Sequence, residues 1–133
     1  MLIKRSFTLM ELLIVIVIIG VLAALALPGF ATSRERALDR EARASLGLMQ
    51  AAEKIYRMES GGSYYPPGGA TSVIADINTY LKVNLPSSGV SWGYTADGIG
   101  NQTTATRVGS GGRVWTLTNT GSAPTCSGTG CPP

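Results

Sequence analysis

Three side chains in this sequence are placed where they could do chemistry: one carboxylate and two thiols. Glu11 stands at the start of an uncharged run, residues 12–33, that is rich in Leu, Ile, Val and Ala. Cys126 and Cys131 lie near the C-terminus, with four residues between them. The chain has no histidine, no nucleophile motif and no acid pair of the catalytic kind. We therefore predict no catalytic residues, no cofactor and a protein that is not an enzyme.

The two cysteines favour a disulfide over a metal site. A single CxxxxC pattern offers two zinc ligands, whereas structural zinc sites use four. A disulfide requires an oxidising compartment, so a bond between Cys126 and Cys131 places the C-terminal part of the chain outside the cytoplasm. Closing so short a loop contributes about 2 kcal/mol, which pins the tail rather than holding the fold together.

The uncharged run predicts a helix long enough to cross a membrane. Residues 12–33 as a helix extend about 33 Å, against about 30 Å for the hydrocarbon core of a bilayer. Lys4 and Arg5 precede the run, but residues 34–43 carry more arginines on the other side, so the charges alone do not fix the orientation. The predicted disulfide fixes it, with the N-terminus in the cytoplasm.

Two ordinary interpretations of the first thirty residues stand beside each other: a cleaved secretory signal peptide and an uncleaved signal anchor. The basic start and the small residues near Ala24 or Ala31 fit a signal peptide. The apolar run is longer than the usual core of a signal peptide, however, and Glu11 sits inside its start.

The segment KRSFTLMELLIV, residues 4–15, resembles the processing site of type IV pilins and of the related pseudopilins of type II secretion. The resemblance implies that a prepilin peptidase cuts between Ser6 and Phe7 on the cytoplasmic side and that the new amino group of Phe7 is methylated. Glu11 is then the fifth residue of the mature chain, as in the family. The family usually has Gly before the cut, whereas this chain has Ser6, which is still small, so we expect cleavage.

Glu11 and Phe7 are the residues that we expect to set the register of assembly. An unpaired carboxylate is costly in a bundle of apolar helices, and an ammonium on Phe7, from the same chain or a neighbour, can neutralise it. Staggers that leave Glu11 unpaired are then penalised, as with a single buried polar residue in a coiled coil. The alternative is that Glu11 only reaches the lipid headgroups.

Gly20 and Pro28 interrupt the apolar helix. Pro28 has no N–H and its ring clashes with the carbonyl four residues earlier, which predicts a kink. A simple bend at the membrane exit is one interpretation; the resemblance implies in addition that helical order is lost between Gly20 and Pro28 in a filament.

The rest of the chain predicts an α+β fold in which a long N-terminal helix packs on a small antiparallel sheet. Apolar residues at helical spacing extend the first helix to about Glu59, with Asp39–Arg43 and Glu53–Arg57 as ion pairs on its polar face. A short helix is predicted from Thr71 or Ser72 to about Val83.

Three strands are predicted by alternation of period two, at residues 90–95, 103–108 and 113–118, with Val114 or Trp115 facing the helix. Tyr64 and Tyr65 precede a proline pair and are expected to pack on the helix, or otherwise to face a neighbouring subunit. This layout is again similar to the pilin fold. The predicted organisation is a leader peptide (1–6), a transmembrane or filament-core helix half (7–33) and an exterior globular domain (34–133).

These features predict the major structural subunit of a type IV pilus, held in the inner membrane as a precursor and then assembled into an extracellular filament. The expected partners are further copies of the chain, the prepilin peptidase, the inner-membrane assembly machinery and, before assembly, membrane lipid. Two of the positive charges behind the net +3 are Lys4 and Arg5, and the remainder are scattered, so no specific nucleic-acid binding is predicted.

Two other functions remain as alternatives. A pseudopilin of type II secretion shares the N-terminal motif, but the family's major pseudopilins bind calcium through an acidic C-terminal loop, and no Asp or Glu follows Asp97 here. For that reason no metal site is predicted. A secreted or membrane-anchored domain with an ordinary signal sequence is the second alternative.

Overall fold

The computed structural model describes residues 7–88, 90–109 and 111–132, without the side chains of residues 26–28. The chain divides into two compact units, Met1–Ala37 and Leu38–Pro133.

The first helix, α1, runs from Leu9 to Glu59 and passes through both units. Its C-terminal end is closed by the backbone N–H of Ser60, which donates to Tyr56, and by that of Gly62, which donates to Arg57. Gly61 and Gly62 both have positive φ angles. Glycine adopts such angles without steric cost, and they are typical of residues at the C-terminal end of a helix. The predicted end of the helix near Glu59 is confirmed.

The second helix, α2, is shorter than predicted and runs from Ile74 to Leu81. Thr71 is not its N-cap, because Thr71 lies in a strand and its hydroxyl accepts a hydrogen bond from the N–H of Val73 instead. Val73 occupies the N-cap position without a side-chain cap. The helix ends before Val83 because Lys82 adopts a left-handed conformation, with φ of 56°.

The sheet has five strands rather than the three predicted, in the order β1-β2-β3-β4-β5 with every neighbouring pair antiparallel. The strands are β1 (Ala70–Thr71), β2 (Trp92–Asp97), β3 (Gln102–Arg107), β4 (Val114–Thr118) and β5 (Thr125–Ser127). The three long strands correspond to the predicted ones within two residues. The two extra strands are short edge strands.

The core of the second unit lies between α1, α2 and the sheet. Trp115 rather than Val114 faces this core, being 5% exposed while Val114 is half-buried. The largest apolar side chains that are almost fully buried come from all three parts: Leu46, Met49, Ile77, Trp92 and Tyr94. The indole N–H of Trp92 also donates to the backbone carbonyl of Leu38, 2.9 Å away, so a partly buried hydrogen bond ties the sheet to α1.

Candidate assembly site

The N-terminal turn of α1 is capped by Thr8. The Thr8 hydroxyl accepts a hydrogen bond from the N–H of Glu11 at 3.2 Å, and the Thr8 carbonyl accepts from the N–H groups of Glu11 and Leu12. Thr8 and Glu11 have the spacing of a capping box, in which Ser or Thr is followed three residues later by Glu. We did not predict this cap from the sequence, although the pattern immediately before the apolar run could have shown it.

Phe7 and Glu11 lie at the same end of α1. Phe7 directly precedes the capping residue and is 75% exposed, and Glu11 is in the first turn with its side chain exposed. Within the described residues no cation contacts the Glu11 carboxylate. Ser6 lies outside the described residues, so the bond that the sequence predicts to be cut is not described.

The apolar half of α1 is uncovered. Every large apolar side chain between Leu9 and Leu25 is exposed, from 43% at Val15 to 83% at Leu9. Burying such half-exposed side chains is favourable by about 1 kcal/mol each, or on the order of 10 kcal/mol for the whole segment. A helix that is apolar on all sides is stable only in apolar surroundings, so this half is suited to a membrane or to other helices of its own kind.

A membrane span is compatible with the length and composition of two helical segments taken together. No single helix in the described part of the chain passes that test, whereas the bent pair Leu9–Leu25 and Gly29–Glu59 does.

Gly20 and Pro28 both lie within α1. A Cβ added at Gly20 would meet no other atom within 4 Å, so packing inside this chain does not require glycine there. The side chain of Pro28 lies outside the description, and a kink at this residue stays a prediction.

The second unit holds its part of α1 through a polar cluster that the sequence did not reveal. Asp39 was expected to pair with Arg43, but its Oδ1 accepts from Nη1 of Arg113 at 2.6 Å and from the indole N–H of Trp115 at 3.1 Å. Arg43 lies over the Trp115 ring instead, 5.3 Å from its centre. The Asp39–Arg113 ion pair is mostly buried, and Asp39 also accepts from Trp115 of β4. Together these contacts fix the position of β4 on α1.

Glu53 was also assigned wrongly to the polar face. Its side chain is fully buried, and its Oε2 accepts a hydrogen bond from the backbone N–H of Tyr65 at 2.8 Å. Arg57, its expected partner, contacts the carbonyl of Gly62 and the hydroxyl of Tyr64. The side chains of Tyr64 and Tyr65 are buried, which confirms that the two tyrosines pack within the subunit.

The predicted disulfide is present. Cys126 in β5 is bonded to Cys131, with a distance of 5.8 Å between their Cα atoms. Because β5 pairs with β4, the bond ties the C-terminal tail to the edge of the sheet. Across the described ranges, no group of three or more potential metal ligands is found.

Comparison with known proteins finds relatives among type IV pilus subunits and type II secretion core proteins. Residues 1–27 match the family model described as the prokaryotic N-terminal methylation motif. The chain is 33% identical to the type II secretion system core protein G of Escherichia coli over 101 residues, covering 74% of this chain and 68% of that protein. It is 31% identical to the type IV wide pilus major component PilA4 of Thermus thermophilus over 102 residues, covering 66% of this chain and 78% of that protein.

A more local similarity connects the chain to a second pilin. Over 56 residues it is 44% identical to the type IV major pilin protein PilA of Myxococcus xanthus, which covers 42% of this chain but only 26% of the Myxococcus protein. No solved structure shows a significant match.

Proposed function

This chain belongs to the family of type IV pilins and type II secretion core pseudopilins, and from that membership we propose that it is the major structural subunit of a type IV pilus. The observation that carries the proposal is the uncovered apolar half of α1, with the carboxylate of Glu11 in its first turn. A folded unit that leaves such a segment exposed is built to place it among other apolar helices. The N-terminal motif matches a family in which that segment is retained.

Maturation is the first step of the proposed function. A prepilin peptidase cuts between Ser6 and Phe7 and removes Lys4 and Arg5, whose charges oppose withdrawal of the chain from the cytoplasmic face. The exposed position of Phe7, ahead of the Thr8 cap, leaves the new amino group free of the helix and accessible for methylation.

Register in the filament comes from an ion pair between Glu11 and the amino group of Phe7, in the same chain or a neighbour. The described residues offer Glu11 no cation of their own, and a carboxylate in a desolvated bundle needs one. Only staggers that bring an amino group to each Glu11 are then favourable.

The chain is organised for this assembly as a leader (1–6), a membrane or filament-core segment (7–33) and an exterior domain (34–133). Gly20 and Pro28 let the helix bend, and helical order between them is lost on assembly. No neighbouring side chain in the described part of this chain packs close enough to Gly20 to require a glycine there. This supports a role in helix flexibility, since glycine weakens a helix.

The precursor lies in the inner membrane with its N-terminus in the cytoplasm and the second unit outside. The disulfide between Cys126 and Cys131 supports this orientation because it forms in an oxidising compartment. Assembly machinery in the inner membrane then transfers the subunit from lipid into an extracellular homopolymer.

The second candidate function is a pseudopilin of a type II secretion system. The similarity to core protein G of Escherichia coli over 74% of the chain favours it. The pilus is preferred because the C-terminal tail is closed by a disulfide and carries no carboxylate after Asp97, unlike the acidic loop of the family's major pseudopilins.

Intact-mass analysis of material sheared from whole cells separates the two candidates. A chain that begins at methylated Phe7 and is abundant in the sheared fraction supports the pilus. The same N-terminus confined to the membrane fraction supports the pseudopilin. A soluble product that begins near Leu27 or Thr32 would contradict both, because the apolar half would be lost.

A further inference from the structure

Glu53 is a buried carboxyl group, and one of its two oxygens has no hydrogen-bond partner among the described residues. It lies on α1 with no exposed surface. One oxygen, Oε2, accepts from the N–H of Tyr65, and within the described ranges the other, Oε1, is buried and has no hydrogen-bond partner. A buried charge needs several donors or a counter-ion, and a carboxylate with one donor is costly. The geometry therefore suits the neutral, protonated acid.

Burial raises the pKa of Glu53 to about 7, against the opposing effect of the Tyr65 N–H, which stabilises the charged form. No charged side chain of the described residues is among the causes of this shift in pKa. The proton of Glu53 is thus governed by how well the surrounding segment excludes water.

The segment over Glu53 is held by contacts with both helices. The ring of Tyr65 meets Tyr56 of α1 edge-on at 5.4 Å and stacks on Tyr80 of α2 at 4.9 Å. Burial raises the pKa of the Tyr65 phenol, and the charge of Asp76 on α2 raises it further. The titratable and charged groups that the described residues place around the segment are Glu53, Tyr56, Arg57, Tyr64, Tyr65, Asp76 and Tyr80, and among them Arg57 carries the positive charge.

Arg57 is a cation on α1 one helical turn after Glu53, whereas Lys54, the next residue in the chain, donates to Gln50. Its guanidinium donates to the carbonyl of Gly62 at 3.1 Å and to the hydroxyl of Tyr64 at 3.3 Å, and it lies 5.1 Å from the centre of the Tyr64 ring. Residues four apart on a helix are neighbours, so Arg57 can contact Glu53 only by giving up its contacts with the segment.

We propose that Glu53 is a proton-controlled latch that holds residues 62–65 against α1 when it is protonated and releases them when it ionises. Ionisation creates a charge that the closed arrangement cannot solvate. Water then enters beneath Tyr65, and Arg57 turns from Gly62 and Tyr64 towards the carboxylate. Both changes detach residues 62–65, so the proton on Glu53 controls whether this segment is held against α1.

Hydrogen–deuterium exchange of the full chain in detergent micelles tests the latch. The protection factor of the Tyr65 amide, corrected for the intrinsic pH dependence of exchange, should fall about tenfold between about pH 6 and pH 8. In Glu53→Gln, whose amide is neutral and can still accept from Tyr65, the protection factor should stay constant. Glu59→Gln, an exposed position at the end of α1, is the matched control and should behave as the wild type.

The proposal is overturned if the wild-type protection factor is independent of pH, or if Glu53→Gln loses protection as the wild type does. Should Glu53→Gln fail to fold, the carboxyl carbon of Glu53 in the wild type gives the answer by NMR. A titration midpoint near pH 7 that coincides with loss of Tyr65 protection supports the latch, and a midpoint near the ordinary value of 4.5 contradicts it.

Discussion

Both halves of α1 carry apolar side chains and an acidic side chain, but among the described residues only the second half buries any of them within the chain. From Leu9 to Leu25 every large apolar side chain is exposed, and Glu11 is exposed with them. Further along the helix Leu46 and Met49 have no exposed surface, and neither does Glu53. In the proposed function α1 therefore serves two purposes: its second half supplies part of the folding core, and its first half is the interface for other copies. We interpret the unbroken exposure of apolar side chains from Leu9 to Leu25 as a property that assembly uses.

The largest effect is expected from removing the charge of Glu11, in the first half of α1. Glu11→Gln should lower the amount of subunit in the sheared fraction by more than about tenfold, because the proposed ion pair with the Phe7 amine is lost and no register is preferred. Quantitative immunoblotting of sheared and membrane fractions measures this.

Glu59→Gln, which is exposed in the second half, is the control and should assemble as the wild type. The membrane level and leader cleavage of Glu11→Gln should be unchanged. An undiminished sheared fraction would remove Glu11 from the assembly mechanism.

Matched truncations in the two halves sharpen the comparison. Leu46→Ala should lower the free energy of unfolding of the second unit by about 3 kcal/mol, because it opens a cavity at a fully buried site. Leu13→Ala removes the same atoms from an exposed site and should change that free energy by less than about 0.5 kcal/mol. Denaturant unfolding of the full chain in micelles, followed by tryptophan fluorescence, compares the two, and equal losses would contradict the division of α1.

The buried carboxyl group of Glu53, in the second half of α1, predicts that the stability of the second unit depends on pH. Because the pKa of Glu53 is raised to about 7 in the folded state from 4.5, the folded state binds more protons between these values. Its stability therefore falls as the pH rises through this window, by about 3 kcal/mol in total. Unfolding of the wild type and Glu53→Gln across the window measures the difference, and parallel profiles would show that Glu53 does not titrate there.

The disulfide should have the smallest effect. Replacing Cys126 and Cys131 together by Ser should cost about 2 kcal/mol, since the bond closes a short loop at an edge strand. Thermal unfolding of the double variant measures this cost. A complete loss of folding would mean that the bond does more than hold the tail.

The sequence predicted most of the architecture because its strongest patterns are long. The uncharged run, the helical spacing up to Glu59 and the alternation in three strands each involve many residues, so tertiary contacts do not override them. The edge strands β1 and β5 were missed because two or three residues show no period. They exist through pairing, Ala70 with Asp97 and Cys126 with Trp115, which the sequence does not display.

The polar residues of α1 were predicted least well. Asp39 and Glu53 were given helical neighbours as partners, because spacing of four is the local rule for ion pairs. In the structure both turn to residues distant along the chain, Asp39 to Arg113 and Trp115 and Glu53 to Tyr65. Such contacts depend on how the sheet and the segment after Glu59 fold back, so local spacing could not have given them.

In the proposed filament, other copies of the chain cover the first half of α1. Labelling of Val17→Cys by a membrane-impermeant maleimide tests it in sheared filaments without detergent, with Thr120→Cys, an exposed position after β4, as the control. We expect Val17→Cys to be unreactive in filaments and to react once a denaturant separates and unfolds the subunits, while Thr120→Cys reacts in both. Equal reactivity of Val17→Cys in intact filaments and separated subunits would contradict it.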